Sequence, residues 1–293
     1  MGSACEVVLT ANTAPEAEAL AKAAIDEVLR IERKYSRYTS NSIVAQINQQ
    51  AGQGSVACDA ETWSLFQFAS QLFEKSEGLF DITSGVLRQA WNFRQPQLPS
   101  AQQLANLLPL IGWHQVILKD QTIALPLKGM EVDLGGFGKE YAADRAAQVL
   151  KEKGVTHGYV NLAGDMRFLG TKPHGEPWMI GIQDPRQPDR VVASLPMMQG
   201  GLATSGDYER YFELKGQRYC HVLNPKTGMP VSSWRSVSVT APAAVVSGCT
   251  STMAMLKEED GLAFLQATGF DFFAIDHIGQ VHVRQESPAA LTS

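Results

Sequence analysis

Apolar positions follow two rhythms along this chain. From Ala14 to Tyr35 they return every three or four residues, at Leu20, Ala24, Val28, Ile31 and Tyr35, which predicts one long amphipathic helix. The same spacing predicts helices over 62–73 (with Trp63, Phe66 and Phe73), 139–153, 248–256 and 258–268. Gly154 reads as the stop of the second of these. Short apolar or alternating runs predict strands at 5–11, 155–162, Trp178–Gln183, 191–198, 217–223 and 236–241, with a short one at 131–134. Residues 115–125 read as a hairpin turning at Lys119-Asp120. Residues 272–275 and Val281–Arg284 read as another, around His277–Gly279. Residues 36–48 form a turn running into a short helix, and the DYERYF piece at 207–212 is helical or looped. Strands and helices mix without a regular βαβ alternation, so the expected class is α+β, mixed sheets with flanking helices.

Composition narrows the partners. The 293 residues are 44% hydrophobic and 19% charged, ordinary for a globular chain. A net charge of −5 without a basic run argues against nucleic acid and anionic membrane surfaces. It leaves room for a nucleotide, because local amides and one lysine can hold a pyrophosphate. The four cysteines, at 5, 58, 220 and 249, match no metal spacing and no disulfide framework. No stretch reaches the roughly 18 apolar residues of a membrane span. The start MGSACE has neither a basic nor an apolar leader region. The expected compartment is the cytoplasm, or the periplasm if a leader has been removed.

Four segments carry candidate chemistry. VDLGGFGKEYAADR places Asp133, a glycine pair at 135 and 136, and Lys139 at a helix start, where amides and the lysine favour an anion. An ordinary strand-to-helix turn would look the same. The segment 200–230 holds Thr204, Ser205 and Gly206, then His221 beside the turn-forming run Asn224-Pro225-Lys226-Thr227-Gly228. His221 is either a general base or a structural histidine. The other five histidines are taken as structural. In GLFDITSGVL, Asp81 and Thr83 either line a pocket or cap a helix. VSGCTSTMAML offers small and hydroxyl residues entering a helix, as close packing or weak cation ligands.

In order, these segments resemble the ApbE family of FAD:protein FMN transferases, from Met1 to about Gly269. The resemblance lies in Met1-Gly2-Ser3, SRYTSNSIVAQIN, GLFDITSGVL, VDLGGFGKEYAAD, YVNLAGDMRFLG, WMIGIQDP, ATSGDYERYF and HVLNPKTGMPV. It implies an ApbE-like, T-fold-related architecture in a single domain over 1–285, with 286–293 a frayed tail. The implied chemistry is Mg2+-assisted transfer of FMN from FAD to a Thr or Ser hydroxyl of a partner flavoprotein, with AMP leaving. Carried over residue by residue, Met1, Tyr38, Leu79, Phe80, Asp81, Asp133, Lys139, Thr204, Ser205 and His221 would bind FAD. His221 would be the base, and the carbonyl of Gly136 one metal ligand. A homodimer is left open.

The pattern departs from the family where a metal would be held. The family places an Asp and, four residues on, a Thr; here the corresponding pair is Ser247 and Ser251 or, shifted by one, Gly248 and Thr252. Neither register supplies a carboxylate, and Mg2+ prefers anionic oxygens. Asn224 stands where the family usually has Asp, and Gly138 and Glu140 where it more often has Ala and Gly. The alternatives to a transferase are an FAD-binding protein with reduced or lost catalysis, and an FAD pyrophosphatase giving FMN and AMP.

Overall fold

The structure, a computed structural model, describes residues 4–285. The chain divides into two compact units. One comprises the residues up to Val28, Lys139–Tyr208 and those from Ser232 on; the other comprises Leu29–Gly138 and Glu209–Val231. The expected contact at Met1 and the frayed tail lie outside the described residues.

The first unit is organised by a seven-stranded sheet. Its order is Cys5–Leu9, Gly158–Leu162, Asp165–Gly170, Gly200–Gly206, Trp234–Ala241, Asp271–Asp276 and Val281–Arg284. Every pairing is antiparallel. Side chains alternate between faces along each strand. One face buries Met166, Phe168, Leu202, Phe273 and Ile275 in a cluster with Ile182 and Met197 of a separate hairpin, Trp178–Gln183 with Val191–Met197. The helix Ala244–Leu256 packs on the strands Gly200–Gly206 and Trp234–Ala241. The helix Gly138–Glu152 buries Ala142, Ala143, Ala146, Ala147 and Leu150 along one stripe, and Gly154 follows at φ +85°.

The second unit holds the helices Ile43–Gln49, Ala60–Lys75 and Ala101–Leu107, a 3-10 turn at Ile82–Gln89, and two small antiparallel sheets. Stacked Trp91, Phe212 and Tyr219 fill one of its cores. The helix Ala14–Tyr35 has its expected bounds, with Ala24, Val28, Ile31 and Tyr35 buried.

Some expectations shift. Residues 131–134 form no strand. Asn48 takes the place of a partner strand: its side chain accepts from Val132 N (2.7 Å) and donates to Val132 O (3.0 Å). The DYERYF piece enters a strand, Tyr211–Leu214, because Gln217–Cys220 returns against it. The hairpin turn falls one residue later than expected, on Asp120 and Gln121, both at positive φ (48° and 55°) as a two-residue turn demands. The last helix is interrupted: a 3-10 turn at Glu258–Asp260 precedes Gly261–Thr268. Ala101–Leu107 was not expected, although its capping box, Ser100 with Gln103, is visible in the sequence.

Candidate functional site

In the first unit the helix Gly138–Glu152 begins with two charged residues of opposite situation. Lys139 Nζ pairs with Asp165 at the start of its strand. Glu140 is 7% exposed, and among the described residues its Oε2 has no hydrogen-bond partner. Burial, and then the neighbouring charge of Asp165, push its carboxyl up to about 8. It faces the helix Ala244–Leu256 at Gly248, where an added Cβ would lie 2.6 Å from both Glu140 Cγ and Oε1. Glycine is needed there because the glutamate fills the volume of a side chain.

Hydroxyls gather beside this point. Ser205 Oγ lies 2.8 Å from Ser251 Oγ and 3.0 Å from Thr252 Oγ1. Ser251 donates to Gly248 O at 3.0 Å. Thr204 has turned to its cross-strand neighbour, Ser238, with 2.7 Å between hydroxyls. Ser247 is fully buried and donates to the carbonyls of Gly201 (3.0 Å) and Ala243 (3.2 Å). Of the four hydroxyl residues expected in this unit, the structure therefore joins Ser205 and Ser251. One turn along the first helix, Asp144 accepts from the amides of Ala244 and Val245, each at 2.9 Å. It caps a helix whose own N-cap residue, Ala243, has no side chain for the purpose. Burial pushes Asp144 up from the usual carboxylate range.

In the second unit Asp133 accepts from Gly135 N at 3.0 Å and pairs with Arg37. Arg37 donates to Tyr38 OH at 2.7 Å, and its guanidinium lies 4.8 Å from the centre of that ring. Tyr38 is 81% exposed, a platform held from below by a cation. Arg37 stood next to Tyr38 in the sequence but carried no spacing signal of its own. Asp81 spends both oxygens on capping: Oδ1 accepts from Thr83 N (2.8 Å) and Thr83 Oγ1 (2.6 Å), and Oδ2 from Trp113 N (2.9 Å). Phe80 is buried and Leu79 half-buried. A Cβ on the exposed Gly136 would sit 3.1 Å from Phe80 Cζ.

His221 follows the strand Gln217–Cys220, half-buried, its amide donating to Arg210 O at 3.0 Å. Asn224 Oδ1 accepts from Lys226 N at 2.9 Å, the turn-closing bond that an aspartate would also make. Two of the remaining histidines have structural partners: His157 with Thr171 O and His282 with Asp276. The four cysteines form no disulfide. Among the described residues no group of three or more His, Cys, Asp and Glu side chains gathers for a metal.

The whole arrangement has known counterparts. A crystal structure of the ApbE protein from Thermotoga maritima is similar at a TM-score of 0.88 and 31% identity, covering 97% of this chain and 94% of that one. The apo flavinyl transferase ApbE of Pseudomonas stutzeri is similar at 0.85 and 28%, covering 97% and 92%. Among curated proteins, the FAD:protein FMN transferase of Treponema pallidum is 30% identical over 296 residues, spanning 89% of this chain and 81% of that protein. The enzyme of that name from Vibrio cholerae is 29% identical over 254 residues, spanning 83% and 75%. With the family's sequence profile matching residues 1–274 and the same architecture in solved relatives, this chain belongs to the ApbE family.

Proposed function

We propose that the chain is an FAD:protein FMN transferase, moving FMN from FAD to a Thr or Ser hydroxyl of a partner flavoprotein with release of AMP. The observation that carries this reading is the family match over residues 1–274, with relatives of that name spanned over most of their length. The acceptor hydroxyl oxygen attacks the flavin-side phosphorus and gives its proton to His221. A phosphoester bond forms, the anhydride bond breaks, and its electron pair leaves on AMP. Tyr38, set by Arg37, offers FAD an aromatic face, with Leu79 and Phe80 as apolar neighbours. Asp133 is assigned to FAD with them. Asp81 acts there by fixing the turn that carries Phe80. Lys139 is assigned to the pyrophosphate, Thr204 and Ser205 to the adjoining strand surface.

Mg2+ is the proposed metal, and when bound it neutralises charge on the pyrophosphate and the leaving AMP. The ligands carried by the resemblance are Gly136 O and the hydroxyls of Ser247 and Ser251. The residues present fit a hard cation, because Glu140 holds a buried carboxylate oxygen for which the described protein supplies no donor. No described helix is long and apolar enough to cross a membrane.

The test is incubation of the full chain with FAD, Mg2+ and an acceptor domain carrying a target Thr, read by in-gel flavin fluorescence. Covalent flavin on the acceptor is expected. FMN and AMP without an adduct would make the chain a pyrophosphatase, and intact FAD a binding protein. His221→Ala is expected to abolish the adduct while FAD still binds; an adduct that persists removes His221 as the base.

A further inference from the structure

Two departures from the family pattern, read separately, look like losses. The structure places them against each other. Gly248 leaves room on one helix, and Glu140 fills that room from another, with its Cγ and Oε1 2.6 Å from the position of the absent Cβ. A carboxylate borne by residue 248 would begin where the glutamate carboxylate now lies. Thr252 follows Gly248 by four residues, hence on the same helix face, and its hydroxyl lies 3.0 Å from Ser205 Oγ. The set is oxygen throughout, the preference of small hard divalent cations. Glu140 is buried, and its Oε2 has no hydrogen-bond partner among the described residues. A buried charge is paired or holds a metal, so ionised Glu140 calls for a cation at its bare oxygen.

We propose that Glu140 is the anionic ligand of a divalent metal site in this chain, completed by the Thr252 hydroxyl and substrate oxygens. The carboxylate has moved from the helix Ala244–Leu256 to the helix Gly138–Glu152, and a glycine has moved the opposite way. This selects the register Gly248 and Thr252 over Ser247 and Ser251. Ser247 is tied instead to the carbonyls of Gly201 and Ala243, joining helix to sheet. The assignment deepens the transferase reading and rests on it for the metal's role, but the site can be tested without turnover.

The experiment titrates Mn2+ into the metal-free full chain with ADP as the pyrophosphate probe, following loss of the free Mn2+ signal by electron paramagnetic resonance. The wild type is expected to bind one ion per chain. Glu140→Gln keeps shape and loses the charge, so Mn2+ should bind about tenfold more weakly or worse. The swap Glu140→Gly with Gly248→Asp should recover affinity to within about threefold of wild type, since about 0.6 kcal/mol separates them. Wild-type affinity in the Gln variant overturns the assignment, as does a wild type that binds no Mn2+. If the Gln variant does not fold, the swap decides: recovery supports the site, and weak binding overturns it. A wild type that binds Mn2+ through Glu140 but transfers no FMN sinks the transferase reading and leaves the site standing. Transfer with Mn2+ affinity indifferent to Glu140 does the reverse.

Discussion

Glu140 and Asp144 stand one helical turn apart, and both carboxyls are pushed upward by burial. Their surroundings differ completely. Asp144 gives each oxygen a backbone amide and stands 3.4 Å from Arg167 Nε. Its task, holding the start of the helix Ala244–Leu256, is complete within the protein. Glu140 has been brought to that same helix without a donor for Oε2 among the described residues. The second unit repeats the situation of Asp144, since both oxygens of the buried Asp81 are occupied. A buried acid with filled lone pairs builds structure, whereas one with a bare lone pair awaits something else.

The largest expected effect comes from forcing a second acid against the first. Gly248→Asp alone places a side chain within 2.6 Å of Glu140 and adds a like charge. Urea unfolding is expected to show a loss of about 3–5 kcal/mol. Combining it with Glu140→Gly should restore most of that loss; if it does not, the two positions do not share one volume.

Removing the satisfied acid should cost less. Asp144→Ala leaves two helix amides without their acceptor and Arg167 without its ion pair, an expected loss of about 2 kcal/mol in the same measurement. A change within error would show that the helix holds its start without the cap.

Asp276 sharpens the comparison at the acid end. Burial works against its charge, but His282 and the amides of Gln280, Gly279 and Ile278 outweigh it and hold the carboxyl below its ordinary value of 3.8. The stability this contributes is present above pH 3.8 and lost as pH falls through the lower folded value. Asp276→Asn should therefore melt below wild type near neutrality and converge with it in acid. A gap that persists at low pH would point to a cause other than ionisation.

The smallest effect is expected at Asn224. Its Oδ1 closes the turn through Lys226 N, and an aspartate oxygen can do the same. Asn224→Asp should change stability by less than about 0.5 kcal/mol. A large change in melting temperature would mean that the loop is sensitive to charge after all.

These contrasts explain what the sequence could disclose. Ala14–Tyr35 was legible because its burial repeats with the helical period. His221, Asp133 and Lys139 were proposed through segments that resemble a family. Residues 131–134 misled, because an apolar pair flanking an acid reads as a strand, and Asn48, far away in sequence, satisfies the backbone instead. The cap by Asp144 spans 100 residues and leaves no local pattern. Glu140 looked like drift, and Gly248 was one of two registers that lacked a carboxylate. Only their approach in space turned two apparent losses into one exchange.

The order of strands in the large sheet also sets a timetable. Val7 pairs with Val160, and the strand Trp234–Ala241 pairs on one side with Asp271–Asp276. During synthesis the first strand must wait until Gly158–Leu162 has been made, and Trp234–Ala241 until Asp271–Asp276 has. The second unit interrupts the wait twice, since its segments lie between those of the first. Long-range pairings of this kind make folding slow and leave strand edges open meanwhile. The hydroxyl and carboxylate cluster draws on segments near 140, 205 and 250. It therefore comes into being only after the segment near 250 has been made.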